Sequence, residues 1–307
     1  MLKRALVTGG TGFVGANLVR RLLRDGHEVH LLLRAQSDMR RLKDVTADLR
    51  RHVAVLADAP SVARSVADAR PDWIFHLAAY GAYSWQNDLA AMLQTNVVGS
   101  ANVVQAGLQH GFEAFVAAGS SSEYGLKDHP PSETEWLEPN SDYGVTKAAA
   151  TLFCRHTSLR CDVSLTTLRL YSVYGPYEDE GRLMPTLVRH ALQGAWPPLV
   201  QPGTARDFVY VDDVVEAFLA AARPDVPQGA VYNVGSGRQT SLRDLVELAR
   251  GMFGVTTEPP WGSLPPRRWD TTVWVADPAA IATDLGWRAR TSLSEGLAAL
   301  AAWCHGD

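Results

Sequence analysis

A chain of 307 residues, 46% apolar and 20% charged, has the length of one large domain or two joined lobes and a globular composition, which excludes repeats, fibres and disordered sequence. Its formal charge of −4 excludes a general attraction to nucleic acid or anionic membrane, so an anionic ligand must be met by local basic residues. Cys154, Cys161 and Cys304 show no paired spacing, which disfavours a disulfide framework and a zinc site, and no signal-peptide core or membrane-length apolar run is visible; a cytoplasmic protein is expected.

In chain order, residues 5–7, 29–33, 53–56, 73–77, 115–118 and 163–168 read as strands, and 13–24, 62–69, 89–109 and 143–156 as helices with apolar residues recurring at three and four. That alternation predicts an α/β fold: a doubly wound parallel sheet of Rossmann type, with ligands at the carboxyl ends of its strands. From about Gly175 prolines break the chain into short pieces. A smaller, irregular C-terminal lobe over 175–307 is expected beside a cofactor lobe over 1–174, which also receives a segment near 206–235. Helices over 242–253 and 293–303 would cap the second lobe, and Trp269, Trp274 and Trp287 would form its core. The acidic run Glu178-Asp179-Glu180 reads as a solvated loop, and His76 as a residue buried beside the cofactor.

The first strand leads into Thr8-Gly9-Gly10-Thr11-Gly12-Phe13-Val14-Gly15. Gly9 permits a tight turn, Gly12 lets backbone approach a pyrophosphate, and Gly15 lets the following helix pack closely, while its N-terminus offers unbonded N–H groups. The second strand ends Leu33-Arg34, with no carboxylate for the ribose hydroxyls of NAD. Arginine there suits the 2′-phosphate of NADP, which is the first choice of cofactor, with NAD the alternative; Arg40 and Arg41 follow soon after.

Tyr143 and Lys147, four residues apart, share one face of a helix. A nearby ammonium and a cationic nicotinamide would draw the phenol below its usual range, toward general acid–base work near neutral pH. A hydroxyl beside it would hold the substrate oxygen, and the fifth strand delivers Ser120-Ser121-Ser122-Glu123-Tyr124-Gly125 to the same edge.

With these motifs the chain resembles the extended short-chain dehydrogenase/reductase family of nucleotide-sugar epimerases, dehydratases and reductases, over essentially its whole length. The resemblance also rests on Ala57-Asp58, His76-Leu77-Ala78-Ala79, Asn96, the run from Leu168 through Tyr171 and Ser172 to Pro176, the run from Arg206 to Asp213, and the run from Tyr232 to Gly237. It implies cofactor contacts from the glycine run, Arg34, Ala57, Asp58, Leu77, Ala78, Ala79, Asn96, Lys147 and Tyr171. It implies that Ser120 is the catalytic hydroxyl, with Ser121 and Ser122 as rivals, that Asn96 is a structural and proton-relay residue, and that Lys147 holds the nicotinamide ribose. Arg206 and Arg267 align with arginines that bind a sugar-nucleotide diphosphate, a task suited to their bidentate geometry. Tyr80, Ser121, Ser122, Glu123, Ser172 and Asp270 complete the candidate substrate contacts, with Tyr83 and Trp85 near the sugar or packed on the second lobe.

Two departures from the family matter. Ser172 stands where many relatives carry asparagine. Dehydratases and decarboxylases place a glutamate two residues after the catalytic hydroxyl; Ser122 stands there, and Glu123 one later, where it either serves elimination after a slip of the loop or pairs locally. The activity implied is hydride transfer at C4 of a nucleotide-diphosphate sugar, first as a 4-keto-sugar reductase, alternatively as an NAD-dependent 4-epimerase, with a 4,6-dehydratase or decarboxylase behind both. A catalytically silent NAD(P)-binding regulator is the alternative of another class. The resemblance also implies a homodimer through helices 89–109 and 143–156.

Overall fold

The computed structural model describes residues 1–265 and 271–306. Seven parallel strands form the central sheet: β1 (Arg4–Thr8), β2 (Glu28–Leu33), β3 (Leu49–Val53), β4 (Trp73–His76), β5 (Ala114–Ser120), β6 (Leu165–Leu170) and, after three short strands of the C-terminal half, β10 (Val231–Val234). Their order is β10-β6-β5-β4-β1-β2-β3. The strand order therefore reverses beside β1, the switch point at which such sheets open a crevice for a dinucleotide. The Rossmann-type sheet anticipated from the alternation is present.

Helix α1 (Phe13–Arg24) buries Ala16, Leu18, Val19 and Leu22 on one face of the sheet. Later helices join it there: α7 (Val211–Ala221), through Val214, Val215 and Phe218, and α9 (Ala279–Leu285), through Ile281 and Leu285. On the opposite face α2 (Ala59–Ala69), α4 (Gly99–His110) and α5 (Asp142–Cys161) pack Val62, Val66, Val103, Val104 and Cys154 over Leu6, Ile74 and Phe115. A third core joins α6 (Leu183–Leu192), α8 (Leu242–Phe253) and α10 (Leu293–Gly306). Short strands lie beside it, with β7 (Ser172–Tyr174) parallel to β9 (Phe208–Tyr210) and β8 (Ala205–Arg206) antiparallel to β11 (Thr240–Ser241).

Several expectations change. The third strand lies at 49–53, not 53–56: as an edge strand it buries only Leu49, while the apolar Val53 at its end and Val55 beyond it are exposed. The helix expected over 89–109 begins as α3 (Leu89–Met92), passes through a π-helical stretch at Leu93–Val98 and continues as α4. Trp287 belongs to the sheet's core beside α1, donating its indole N–H to the Asp213 carbonyl at 2.8 Å. Trp274 is half-buried against Arg206, and Trp269 lies outside the described residues. No described helix is long and apolar enough to cross a membrane.

Candidate active site

The residues singled out along the chain gather at one edge of the sheet. Gly9–Gly15 follow β1, Arg34 follows β2, Ala57 and Asp58 lie beyond β3, Leu77–Tyr80 follow β4, Ser120–Glu123 end β5, and Tyr171 and Ser172 follow β6. Gly9 adopts φ +70° and passes so close to the fourth strand's end that a Cβ would lie 2.5 Å from the Ala78 nitrogen. Only glycine fits there. The N-cap of α1 is Gly12, whose lack of a side chain leaves the first N–H groups uncapped at the turn. These features fit a pyrophosphate on Thr11, Gly12, Phe13 and Val14. Arg34 is exposed, and among the described residues its guanidinium has no partner; only its backbone bonds Ser37.

Ser120 sits at the C-terminus of β5, buried, with its hydroxyl beside the phenol of Tyr143. It also accepts the Ser122 N–H at 3.2 Å. Ser121, by contrast, lines a small cleft with Tyr124, Lys127, His129, Tyr171 and Trp274, so Ser120 is the serine that meets the tyrosine. Burial pushes the Tyr143 phenol up to about 12, against the downward pull of Ser120. Lys147 does not counter this burial: its ammonium turns inward and donates to the Ala118 carbonyl at 2.6 Å. Burial lowers Lys147 from its usual value, with Glu123 opposing.

The π-helical stretch aims Asn96 at the loop after β4. Its Oδ1 accepts the Tyr80 N–H at 2.8 Å, while Nδ2 donates to the Tyr80 carbonyl at 2.8 Å and to Thr146 Oγ1 at 2.9 Å. This clamp fixes the Tyr80 backbone beside α5. His76 braces the same region: Thr8 Oγ1 lies 2.7 Å from Nδ1 and Ser100 Oγ 2.9 Å from Nε2. Since the Ser100 hydroxyl already donates to the Asn96 carbonyl, Nε2 carries the ring proton. Burial and Lys147 push His76 down to about 3, so it is neutral.

Glu123 is fully buried and turned away from the crevice. Its carboxylate accepts the Ser120 N–H at 2.8 Å, the Thr151 hydroxyl at 3.0 Å and Arg169 Nε at 2.8 Å. Arg169 also reaches the Tyr124 hydroxyl at 2.7 Å, which donates to Asn233 Oδ1 at 2.8 Å. Of the roles expected for Glu123, a substrate contact, a base for elimination or a local pairing, the structure shows the last: it holds the serine loop to β6 and β10. Local spacing marks only the first link of this network, the capping box of Ser120 and Glu123; for the rest the one hint is an arginine inside the apolar run of β6.

On the C-terminal side, Arg206 lies over the Trp274 ring at 5.6 Å and donates to the Ala205 carbonyl. Ser172 pairs through its backbone with β9, and the buried Tyr171 hydroxyl has no hydrogen-bond partner among the described residues, its pKa raised by burial. Arg267 and Asp270 fall outside the described residues. Tyr83 stacks on Trp85 at 4.5 Å, and Arg182 sits 5.5 Å from the Tyr83 ring centroid and bonds the Ala82 carbonyl. Glu178, read from the sequence as solvated, is buried. Sequence reasoning did not place Arg182, Glu178 or Tyr177 at the site, because an irregular loop carries no periodic signal.

A family model described as NAD dependent epimerase/dehydratase family matches residues 5–235. The chain is 32% identical to a dTDP-glucose 4,6-dehydratase of Streptomyces griseus, over 99% of this chain and 95% of that protein. It is also 32% identical to a UDP-glucose 4-epimerase of Mycolicibacterium smegmatis, over 96% of each. The solved structure of MoeE5 in complex with UDP-glucose and NAD is similar at a TM-score of 0.85 and 32% identity, covering 98% of each chain.

Proposed function

From the premise that this chain belongs to the NAD dependent epimerase/dehydratase family, we propose that it reduces the 4-keto group of a nucleotide-diphosphate sugar with NADPH. The observation that carries this reading is the end of β2, where Leu33 and an exposed Arg34, its guanidinium without a partner among the described residues, stand in place of a carboxylate. When bound, the nicotinamide supplies hydride to C4. Tyr143 gives its phenolic proton to the C4 oxygen, and Ser120 donates a hydrogen bond to the same oxygen. Lys147 would turn from the Ala118 carbonyl to take the nicotinamide ribose and face the negative charge left on Tyr143, while Asn96 fixes the Tyr80 backbone beside it.

The 175–307 lobe is assigned the nucleotide sugar. Arg206 and Arg267 would meet the diphosphate, with Tyr80, Ser121, Ser122, Ser172 and Asp270 around the sugar. Elimination is disfavoured because the carboxylate of Glu123 is engaged by three donors. A 4-epimerase retaining NAD is the second reading, favoured by the NAD complex of MoeE5 at 32% identity. The nucleotide released on denaturing purified protein separates the two. A site empty of nucleotide that prefers NADPH to NADH agrees with the reductase; stoichiometric NAD replaces it with the epimerase.

A homodimer is proposed on apolar exposure. Val145, Leu152 and Leu159, seven residues apart on α5, are exposed, as are Leu89 and Leu93 on the neighbouring helix. Light scattering is expected to give twice the 33.4 kDa chain mass. A monomer at micromolar concentration would remove this assignment.

A further inference from the structure

Arg41 is half-buried beside the glycine-rich turn. Its Nε donates to the Tyr177 carbonyl at 2.6 Å and Nη1 reaches the Thr11 carbonyl at 3.5 Å. Among the described residues it forms no ion pair. The arginines beside it differ: Arg20, which donates to the Arg41 carbonyl, pairs with Asp44, and Arg40 with Asp38 and Asp179. A guanidinium has five N–H donors and is costly to bury without a counter-charge, so most of the valence of Arg41 is unused next to the turn that fits a pyrophosphate. Glu178, close enough to feel its charge, pairs instead with Arg182 Nε at 3.7 Å.

The loop that holds Arg41 crosses the same turn. Asn17 of α1 donates to the Pro176 carbonyl at 3.0 Å, and the Arg20 guanidinium lies 4.4 Å from the Tyr177 ring centroid. Thus the 176–178 segment is tied to α1 at two points and orients Arg41 at a third. We infer that Arg41 is a ligand of the dinucleotide pyrophosphate, presented to the glycine-rich turn by the Tyr177 carbonyl. The assignment rests on the dinucleotide reading of that turn but not on the choice between NADPH and NADH, since both carry the pyrophosphate. It gives Arg41 and Arg34 different tasks: Arg41 serves either cofactor, whereas Arg34 meets only the 2′-phosphate.

The test is fluorescence titration of the full chain with NADPH and with NADH. Arg41→Gln keeps a donor for the Tyr177 carbonyl and removes the charge. It is expected to raise both dissociation constants at least tenfold, equivalent to about 1.4 kcal/mol, and to flatten their dependence on salt. Arg34→Ala is expected to raise the NADPH constant alone. Arg41→Lys, which restores a charge, should recover part of the loss. Both constants staying within twofold of wild type in Arg41→Gln would overturn the assignment. So would weaker binding with an unchanged salt slope, because that is the mark of a loosened fold. A loss confined to NADPH would move Arg41 to the 2′-phosphate and overturn the pyrophosphate assignment. A wild-type protein that prefers NADH would defeat the reading of Arg34 and leave the Arg41 comparison decisive on NADH.

Discussion

Replacing Tyr143 with phenylalanine is expected to cut turnover of a 4-keto nucleotide sugar by about 10²–10⁴-fold, the usual worth of a positioned general acid, while NADPH binding and thermal stability stay near wild type. The hydroxyl is the only atom removed, and its partner is Ser120, which remains solvated by the substrate oxygen or water. The pH profile adds a sign. Reduction needs the protonated phenol, so its rate should stay level from pH 6 to 10, because the phenol, raised by burial to about 12, does not ionise there. The reverse oxidation needs the phenolate and should rise over the same range. Steady-state rates from pH 6 to 10 in both directions check this. Full turnover in Tyr143→Phe would remove the phenol from the chemistry.

The second large effect is on stability. Glu123→Ala is expected to destabilise the fold by about 3–5 kcal/mol, because it strands the charge of Arg169 in the interior. Arg169 and Glu123 are 3% and 0% exposed at the side chain, so water cannot replace the lost partner. The variant also frees the Ser120 N–H, which Glu123 accepts at 2.8 Å, and should therefore loosen the serine that faces Tyr143. Denaturant unfolding measures the loss. Combining it with Arg169→Met should recover much of the stability, since removing both charges costs less than removing one. If Glu123 acted on the sugar instead, its loss would abolish turnover and leave the unfolding midpoint unmoved.

Local spacing made the cofactor turn and the Tyr143/Lys147 pair legible, because a strand, three glycines and a helix, or two residues one helical turn apart, place atoms without knowledge of the rest of the chain. The network behind Ser120 was not legible in this way. Glu123 meets Arg169 only because β5 and β6 pair in parallel with Gly119 beside Arg169, and Tyr124 meets Asn233 only because β10 joins the sheet's edge. Both are register facts separated by 46 and 109 residues. Arg41 was seen as a basic neighbour of Arg34, but its partners lie in the irregular 176–178 segment, where no periodicity predicts the path. The inward turn of Lys147 also escaped the motif: spacing fixes where its Cβ lies, and the packing of β5 decides where the ammonium goes.

The central claim is that exchangeable NADPH delivers hydride to C4 of the sugar. It is tested most directly by incubating the protein with a 4-keto nucleotide sugar and NADPH deuterated at the nicotinamide C4, then locating the label by NMR. The account predicts stoichiometric deuterium at C4 of the product alcohol from one face of the cofactor. Turnover of a nucleotide sugar with no label transferred from added NADPH would contradict it and point to a dinucleotide that never leaves the site.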